Sequence, residues 1–369
     1  MNKLFLAFFN GSEYLKHVHG FSLKGFKYSD PLKVLALLCG LSLLATNVSA
    51  AEFTLKFATL APPGSTWMNL LEDWGKTVKE RSQGRIEFKF YPGGVQGDEP
   101  DVLKKMRFGQ LHGGAFTGYG IGQMYSPARV LELPFLFDNY AEIDHVRARL
   151  MPEFEQGFQN NGYRLLGWME VGFIHFFSQQ PINTLDDLKQ RRIWLWQGDA
   201  LGEAMFRSSK LSPVPLSITD VFTSLSTGLI DTVYCTPLAS IALQWYTKTL
   251  YVTDLPMANG IGGLIVSNRF FDSLPPDLQK LLAETGHDAG EKLIAATRSD
   301  NAKSLDVLKQ EGLTFVMNPD QVDPKELSRM RDEAAAELTK SNYIPSELYT
   351  RTWDYLNQFR ASSASRSAP

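Results

Sequence analysis

Residues 53–90 read FTLKFATLAPPGSTWMNLLEDWGKTVKERSQGRIEFKF, and both ends of this stretch alternate apolar and polar side chains. That alternation predicts two half-buried strands, at 53–57 and 86–90. Between them, a Pro-Pro-Gly run ends the first strand, and Ser65 can cap a helix whose apolar side chains recur at helical spacing as far as Val78. A strand–helix–strand order favours a mostly parallel sheet covered by helices, so the stretch predicts an α/β fold.

The same rhythm continues through the rest of the chain. Asp98 begins a second helix, and residues 276–310 carry the apolar pattern of one long helix. At about 1.5 Å per residue that helix would be roughly 50 Å long, which exceeds one small domain and could bridge two. Gly286 and Gly290 are candidates to bend or break it. The other predicted strands are 164–169, 173–177, 193–196, 229–234 and 262–266, and the other predicted helices are 184–190, 199–209 and 219–227.

The N-terminus has the features of an export signal. Three lysines precede the apolar run 34–45, and small residues lead to Ala50, so residues 1–50 are predicted to be a signal peptide cleaved after Ala50. An uncleaved anchor and a start codon placed too far upstream are the alternatives. Cleavage removes five Lys and two Asp or Glu, which leaves 32 basic and 38 acidic residues and a net charge of −6. We therefore expect a soluble periplasmic protein that binds no nucleic acid, and Cys235, the single remaining cysteine, can form no internal disulfide.

Motifs for catalysis or metal binding are missing from the sequence. It contains no G-x-S-x-G, no P-loop and no H-E-x-x-H, and its histidines lack metal-ligand spacing. The segment Gly118-Tyr-Gly-Ile-Gly122 resembles a dinucleotide loop but lacks the third glycine at the required offset, so it is interpreted as a turn after a strand. Cys235 could be a nucleophile, but nothing nearby would activate it, and a small apolar residue lining a pocket is the favoured interpretation. We expect no enzyme, no cofactor and no metal site.

Several segments, in order, resemble the solute-binding proteins of tripartite ATP-independent periplasmic (TRAP) transporters of the dicarboxylate-binding (DctP) type. Each is a weak signal alone, but their order and spacing over about 180 residues are specific. They are Leu55-Lys-Phe-Ala58, Ser82-Gln-Gly-Arg-Ile86, Tyr91-Pro-Gly-Gly94, Gly97-Asp98, Leu131-Glu-Leu-Pro-Phe-Leu-Phe137, Gly172-Phe-Ile-His-Phe176, Pro181-Ile-Asn-Thr-Leu-Asp-Asp-Leu-Lys189 and Gly228-Leu-Ile-Asp231.

The resemblance implies a periplasmic binding protein of type II-like fold: two α/β lobes around a central cleft, hinge strands, and a long helix that spans both lobes. A ligand enclosed by lobe closure would pass to TRAP membrane permease subunits, and we expect a monomer. A ligand favours the closed state only by contacting both lobes. The implied organisation is lobe 1 at 51–171 and 261–300, lobe 2 at 172–260 and 301–360, and a disordered tail at 361–369.

The sequence departs from the family at the positions that bind a ligand carboxylate. Trp194 stands where the family has its arginine, Ile174 where many members have a second cation, Thr117 where they have an acid, and Cys235 where they have an asparagine. All four changes remove charged or amide groups. Because a buried carboxylate without a partner is costly, the ligand is predicted not to be a simple dicarboxylate but a mostly apolar or aromatic molecule.

The predicted walls of the binding cleft are aromatic, and aromatic faces offer a large contact area. Glu170 is either a ligand contact at the hinge or a solvated loop acid, and Asp199 is expected to cap the following helix. The predicted wall residues are Trp194, Trp196, Phe173, Tyr234 and Trp168.

Three other functions are alternatives to this interpretation. The chain could still bind a carboxylate through Arg192 or through a distant arginine such as Arg129. The same fold could serve a ligand-sensing or efflux-associated binding module. An exported hydrolase is disfavoured, since no nucleophile and base are paired.

Overall fold

The computed structural model of the chain describes residues 51–367. The strands are β1 (Phe53–Thr59), β2 (Ile86–Tyr91), β3 (Gly113–Thr117), β4 (Tyr163–Ser178), β5 (Trp194–Trp196), β6 (Val214–Leu216), β7 (Thr232–Cys235), β8 (Tyr251–Thr253), β9 (Ala258–Ser267) and β10 (Thr314–Val316). The helices are α1 (Thr66–Arg81), α2 (Glu99–Arg107), α3 (Gly118–Tyr125), α4 (Tyr140–Asn160), α5 (Ala200–Ser208), α6 (Val221–Thr227), α7 (Pro237–Ala242), α8 (Asn268–Phe271), α9 (Pro276–Gln310), α10 (Pro324–Lys340) and α11 (Ser346–Ser367). Short 3₁₀ segments cover Ser126–Glu132, Leu185–Gln190, Ile218–Asp220, Trp245–Lys248 and Pro319–Gln321.

One mixed sheet of eight strands organises the fold, and the predicted α/β class is confirmed. Along it the strands run β10-β8-β4-β9-β3-β1-β2, with β7 also paired to β4. The predicted helix caps at Ser65 and Asp98 are both present, since each side chain accepts a backbone N–H at the start of its helix. Strands β5 and β6 form a separate parallel pair beside β7.

The long strand β4 connects the two halves of the sheet. Residues 163–174 pair with β9, whereas residues 175–178 pair with β7 and, at the end, with β8. The sequence predicted two strands here, at 164–169 and 173–177, and the structure has one. The strand survives the intervening Gly172, at φ +102°, because a register shift beside that glycine absorbs an extra residue.

Helix α9 is continuous over 35 residues, as the long-helix prediction expected, and it does not break at Gly286 or Gly290. These glycines face β4 instead. A Cβ on Gly286 would lie 2.7 Å from the Cβ of Leu166, and a Cβ on Gly290 would lie 3.1 Å from the Cα of Gly167. Glycine therefore lets the helix backbone lie directly on the strand backbone.

Hydrogen bonds tie α9 to elements on both sides of the cleft. From α1, Trp67 Nε1 donates to Thr297 Oγ1 at 2.9 Å, and from the start of α7 the backbone N–H of Leu238 donates to Asn301 Oδ1 at 3.0 Å. Asn301 Nδ2 in turn donates to the carbonyl oxygen of Val171 in β4, at 2.9 Å. The helix thus contacts the outer helices and the connecting strand together, as a lobe-spanning helix does.

At the C-terminus, α11 extends to Ser367, and the disordered tail at 361–369 stays a prediction. Helix α11 packs on α4, while α10 packs on α5, so the two C-terminal helices contact different parts of the fold. The lobe boundaries remain a prediction, and the predicted signal peptide at 1–50 lies outside the described residues. Between residues 51 and 367, no helix has both the length and the apolar character needed to cross a membrane.

Candidate ligand-binding site

A cavity of about 190 Å³ lies between the loop after β1 on one side and strands β5 and β7 on the other. Strand β4, the start of α3 and helix α7 complete its walls. The structure places six of the predicted site residues on this lining. They are Thr117, Ile174, Trp194, Trp196, Tyr234 and Cys235. Strands from distant parts of the sequence thus bring the predicted residues together, while their contact with a ligand stays a prediction.

Aromatic side chains form one wall of the cavity. Trp194 stacks on Tyr234 with ring centroids 4.9 Å apart and meets Trp245 edge-on at 5.4 Å. Trp196 lies 5.6 Å from Trp194 and 4.9 Å from Tyr119. Trp245 and Tyr119 were not among the predicted wall residues. The wall offers a large area of ring carbon for contact with an apolar group.

The polar atoms of the two strand tryptophans are used inside the protein. Trp194 Nε1 donates to the carbonyl oxygen of Leu216 at 3.0 Å, and Trp196 Nε1 donates to Asp98 Oδ2 at 2.9 Å. Trp194 is 2% exposed, so it is a core residue of this half of the fold as well as a wall of the cavity. Both indoles therefore present carbon, not a free N–H group, to a ligand.

Three predicted residues lie away from this lining, and their contact with a ligand stays a prediction. Phe173 packs on Tyr140, at 4.9 Å between ring centroids, and Trp168 stacks on Phe154 in the core. Glu170 is not a solvated acid, because it is fully buried and paired with Arg298. The irregular register of β4 turns these side chains away from the cavity while leaving Ile174 on it.

The charged end of the cavity consists of Arg129, Glu132 and Asp199. Arg129 Nη1 and Nη2 donate to the two carboxylate oxygens of Asp199 at 2.8 and 3.2 Å, and its Nε donates to Glu132. Burial raises the pKa of the Glu132 carboxyl, although the neighbouring Arg129 guanidinium opposes this shift. Among the described lining residues Arg129 is the sole Lys, Arg or His. The single cation at the cavity is therefore already matched by two carboxylates.

Arg192, the other arginine considered from the sequence, is not at the cavity. Its side chain is 56% exposed and pairs with Asp231 at 3.2 Å. Glu132 was missed, although a signal was present: it is a lone acid inside the apolar run Val130–Phe137. A charge within such a run indicates a buried ion pair, since acids are rarely buried without a partner.

The segment 118–122 is not the predicted turn, because it forms the start of α3. Its glycines leave room for buried charged side chains. A Cβ on Gly120 would lie 2.7 Å from Glu99 Oε2, a Cβ on Gly118 would overlap the Glu132 carboxylate, and one on Gly122 would lie 3.1 Å from Arg129 Nη1. Glycine spacing here reflects close approach by buried side chains and not nucleotide binding.

Glu99 caps the N-terminus of α3 and lies behind the cavity lining, in contact with the lining residue Thr117. Its carboxylate accepts hydrogen bonds from the backbone N–H groups of Thr117 and Gly120, at 2.7 and 2.6 Å, and from Thr117 Oγ1 at 3.0 Å. Burial raises the pKa of Glu99 to about 8, against the lowering effect of the hydrogen bonds from Thr117 and Gly120. The hydroxyl of Thr117 is thereby committed to Glu99.

We expect the free energy of unfolding to fall as the pH rises from about 4.5 to above 8. Glu99 has an ordinary pKa of 4.5 when unfolded and about 8 when folded. The folded state therefore holds the extra proton across this window, and stability is lost as that proton leaves, with a slope of at most about 1.4 kcal/mol per pH unit. Urea unfolding at pH 5 and pH 8.5 measures the effect. Glu99→Gln, which cannot titrate, should show a shallower loss, and an identical pH dependence in both proteins would contradict the assignment.

Hydrogen bonds also join the two sides of the cavity. Asp98 Oδ2 accepts from Ser217 Oγ at 2.7 Å and from the backbone N–H of Ile218 at 3.2 Å, besides the Trp196 indole. Tyr119 donates its hydroxyl to the carbonyl oxygen of Gln197 at 2.7 Å. These bonds hold the 98–119 region against the 196–218 region and enclose the cavity between them.

Neither a nucleophile nor a metal site is formed at the cavity. Burial raises the pKa of the Cys235 thiol, so the thiol stays protonated at neutral pH and is no activated nucleophile. Over the described range 51–367, no group of three His, Cys, Asp or Glu residues could hold a metal ion.

Comparison with known proteins finds solute-binding relatives. A solute-binding protein of Chromohalobacter salexigens is 27% identical over 213 residues, which cover 56% of this chain and 62% of that protein. The match to this relative thus spans less than two thirds of the relative's length. The sialic acid-binding periplasmic protein SiaP of Vibrio cholerae is 25% identical over 286 residues, covering 75% and 86% of the two chains. A TRAP periplasmic solute-binding protein of Ralstonia eutropha, solved with bound (S)-2-acetolactate, superposes with a TM-score of 0.75 at 21% identity, over 83% of this chain and 99% of that one.

The family description "bacterial extracellular solute-binding protein, family 7" (DctP) matches residues 57–343. Together with the relatives, this confirms the resemblance to TRAP solute-binding proteins and the two-lobe α/β fold. Proteins of this family are periplasmic, bind small molecules for TRAP permeases and are not enzymes, so the prediction that the chain is no enzyme is also confirmed. The chain therefore belongs to the DctP family of bacterial extracellular solute-binding proteins.

Proposed function

We propose that the protein, exported by its N-terminal signal peptide, captures a mostly apolar or aromatic small molecule in the cavity and delivers it to a TRAP permease. The observation that carries this proposal is the state of Arg129, whose guanidinium is matched by Asp199 and Glu132. A ligand carboxylate would find no free cation on the described lining, and burying it there would be costly. The rest of the lining is mostly aromatic or aliphatic, and its polar side chains are the hydroxyl groups of Ser65, Thr66, Thr117, Tyr119, Tyr234 and Thr236 together with the indole N–H groups.

The size of the cavity supports a ligand with a single ring. An apolar cavity of about 150 Å³ is known to bind benzene, and this one measures about 190 Å³. The polar groups near the rings, such as the Tyr234 hydroxyl, can orient a small polar substituent. The relative SiaP is named as a sialic acid-binding protein. The ligand proposed for this protein would differ from that acid by having no carboxylate.

An organic-acid ligand is the second candidate, and one observation favours it. Arg129, one of the two arginines considered from the sequence, does line the cavity. It could receive a carboxylate if Asp199 moved away from it. The two candidates differ in whether a charged or a neutral ligand binds more tightly.

We expect phenylacetamide to raise the melting temperature of the protein and phenylacetate or succinate not to do so. Binding to the folded state raises stability with ligand concentration, and the amide has the ring without the charge. Titration calorimetry measures the affinity for each of the three compounds. Trp194→Phe should weaken amide binding about tenfold, because it removes part of the indole contact area.

A matched substitution tests whether this loss is specific to the cavity. Trp168→Phe changes a tryptophan that packs in the core away from the cavity, and it should leave the affinity for phenylacetamide unchanged. Stronger binding of phenylacetate or succinate than of phenylacetamide would refute the apolar-ligand proposal and favour the organic-acid candidate.

A further inference from the structure

We infer that Asp199 is a built-in substitute for a ligand carboxylate: it occupies the Arg129 fork that an acid ligand would use and so sets the specificity of the cavity against acids. This inference rests on the proposed function, because it explains how the same cavity excludes acids while retaining an arginine. It assigns to one residue a role beyond the capping of α5.

The geometry of the pair is that of carboxylate recognition by arginine. Both Nη atoms of Arg129 face the two oxygens of Asp199, at 2.8 and 3.2 Å, while Nε is directed to Glu132. Two parallel N–H···O bonds in one plane are the arrangement by which arginine binds carboxylates. Asp199 therefore takes the Nη1/Nη2 edge of the guanidinium, and Glu132 takes Nε.

The two partners come from distant segments of the chain. Arg129 lies in the 3₁₀ segment that leads towards α4, whereas Asp199 follows β5, the strand that carries Trp194 and Trp196. They are separated by 70 residues in the chain. The protein thus supplies from one wall the same bridging carboxylate that an enclosed acid would supply.

Charge and burial prevent a ligand carboxylate from binding Arg129 while Asp199 is paired with it. The side chains of Arg129 and Asp199 are 4% and 7% exposed, and Glu132 is buried beside them. A ligand carboxylate would be a third anion at one guanidinium, and close carboxylates disfavour one another's charged forms. With Asp199 removed, a ligand carboxylate would restore the original charge count.

The capping role of Asp199 can be separated from its contact with Arg129. Asp199 Oδ1 accepts the backbone N–H of Leu201 at 3.2 Å and caps α5. Serine caps helices about as well as aspartate but is too short and uncharged to fill the guanidinium fork. Asp199→Ser should therefore keep the helix and free Arg129.

We expect Asp199→Ser to bind phenylacetate at least tenfold more tightly than the wild-type protein does, measured by titration calorimetry at pH 7.5. Binding of phenylacetamide should change much less. The double variant Asp199→Ser/Arg129→Met should lose the gain, because the cation that receives the carboxylate is absent. Asp186→Ser removes the same charge from an acid whose side chain is 79% exposed, and it should gain nothing.

The outcomes separate the inference from the proposed function. If the wild type prefers the amide but a folded Asp199→Ser gains no affinity for phenylacetate, the substitute role is wrong and the proposed function stands. The substitute role is equally wrong if the gain persists without Arg129 or appears in Asp186→Ser. If the wild type already prefers phenylacetate, both ideas fall. Circular dichroism of each variant establishes that α5 and the fold are intact.

Discussion

Replacing Arg298 with methionine should lower the free energy of unfolding by about 3–5 kcal/mol, because it leaves the buried Glu170 without a partner. Arg298 Nε and Nη2 donate to the two oxygens of Glu170 at 2.8 and 2.7 Å. The Glu170 side chain is fully buried, and an uncompensated buried charge is among the costliest single defects in a protein. The pair joins α9 to β4 near the point where β4 passes from one half of the sheet to the other.

The neighbouring Arg147 provides a matched control. Arg298 and Arg147 both pair with Asp144, whose side chain is 42% exposed, but only Arg298 also pairs with a buried acid. Arg147→Met should therefore cost about 1 kcal/mol or less, because the acids it pairs with, Asp144 and Glu291, are 42% and 53% exposed and stay solvated without it. Urea unfolding of both variants measures the difference.

A second substitution distinguishes the buried charge from lost packing. In Arg298→Met/Glu170→Gln the unpaired charge is gone, so at least half of the lost stability should return. Arg298 also lies over the Tyr140 ring, 4.3 Å from its centroid, and methionine keeps part of that contact. Equal losses for the single and double variants, or for Arg298 and Arg147, would show that charge burial is not the cause.

The sequence predicted those parts of the fold that depend on neighbouring residues. Alternation at 53–57 and 86–90 gave β1 and β2, and Ser65 and Asp98 cap the helices that follow. Such patterns record which face of an element is buried, and that face is set locally. The continuity of β4 through Gly172 was not predictable, because it depends on the partner strand β9 and a register shift.

The positions of the predicted site residues follow the same division between local and distant contacts. Trp194 and Tyr234 lie on the cavity lining, because the alternation of side chains along a strand fixes the face on which each one lies. The pairing of Glu170 with Arg298 was not predicted, because Arg298 is 128 residues away in the chain. Asp199 was correctly expected to cap a helix, but nothing near it in the sequence indicates Arg129. Ion pairs between distant segments leave no periodic signal, so they emerge only with the tertiary structure.

Gly290→Ala should destabilise the protein by at least about 2 kcal/mol, although alanine is ordinarily the better helix residue by about 1 kcal/mol. A Cβ at this position would overlap the carbonyl oxygen of Trp168 and lie 3.1 Å from the Cα of Gly167. Both obstacles are backbone atoms of β4, which cannot rotate away as a side chain can. Overpacking of this kind costs about 1–3 kcal/mol or more, so the loss outweighs the gain in helix propensity.

Lys292→Ala, on the exposed face of the same helix, is the matched control and should leave stability within about 0.5 kcal/mol of the wild type. The contrast isolates contact with β4 from any general effect of alanine in α9. Because Gly286 faces Leu166 in the same way, with its own Cβ position 2.7 Å from the Leu166 Cβ, Gly286→Ala should destabilise as well. A Gly290→Ala protein as stable as the wild type would mean that α9 can move off β4 at little cost. In that case the close backbone contact would not be what holds the long helix to the strand that connects the two halves of the sheet.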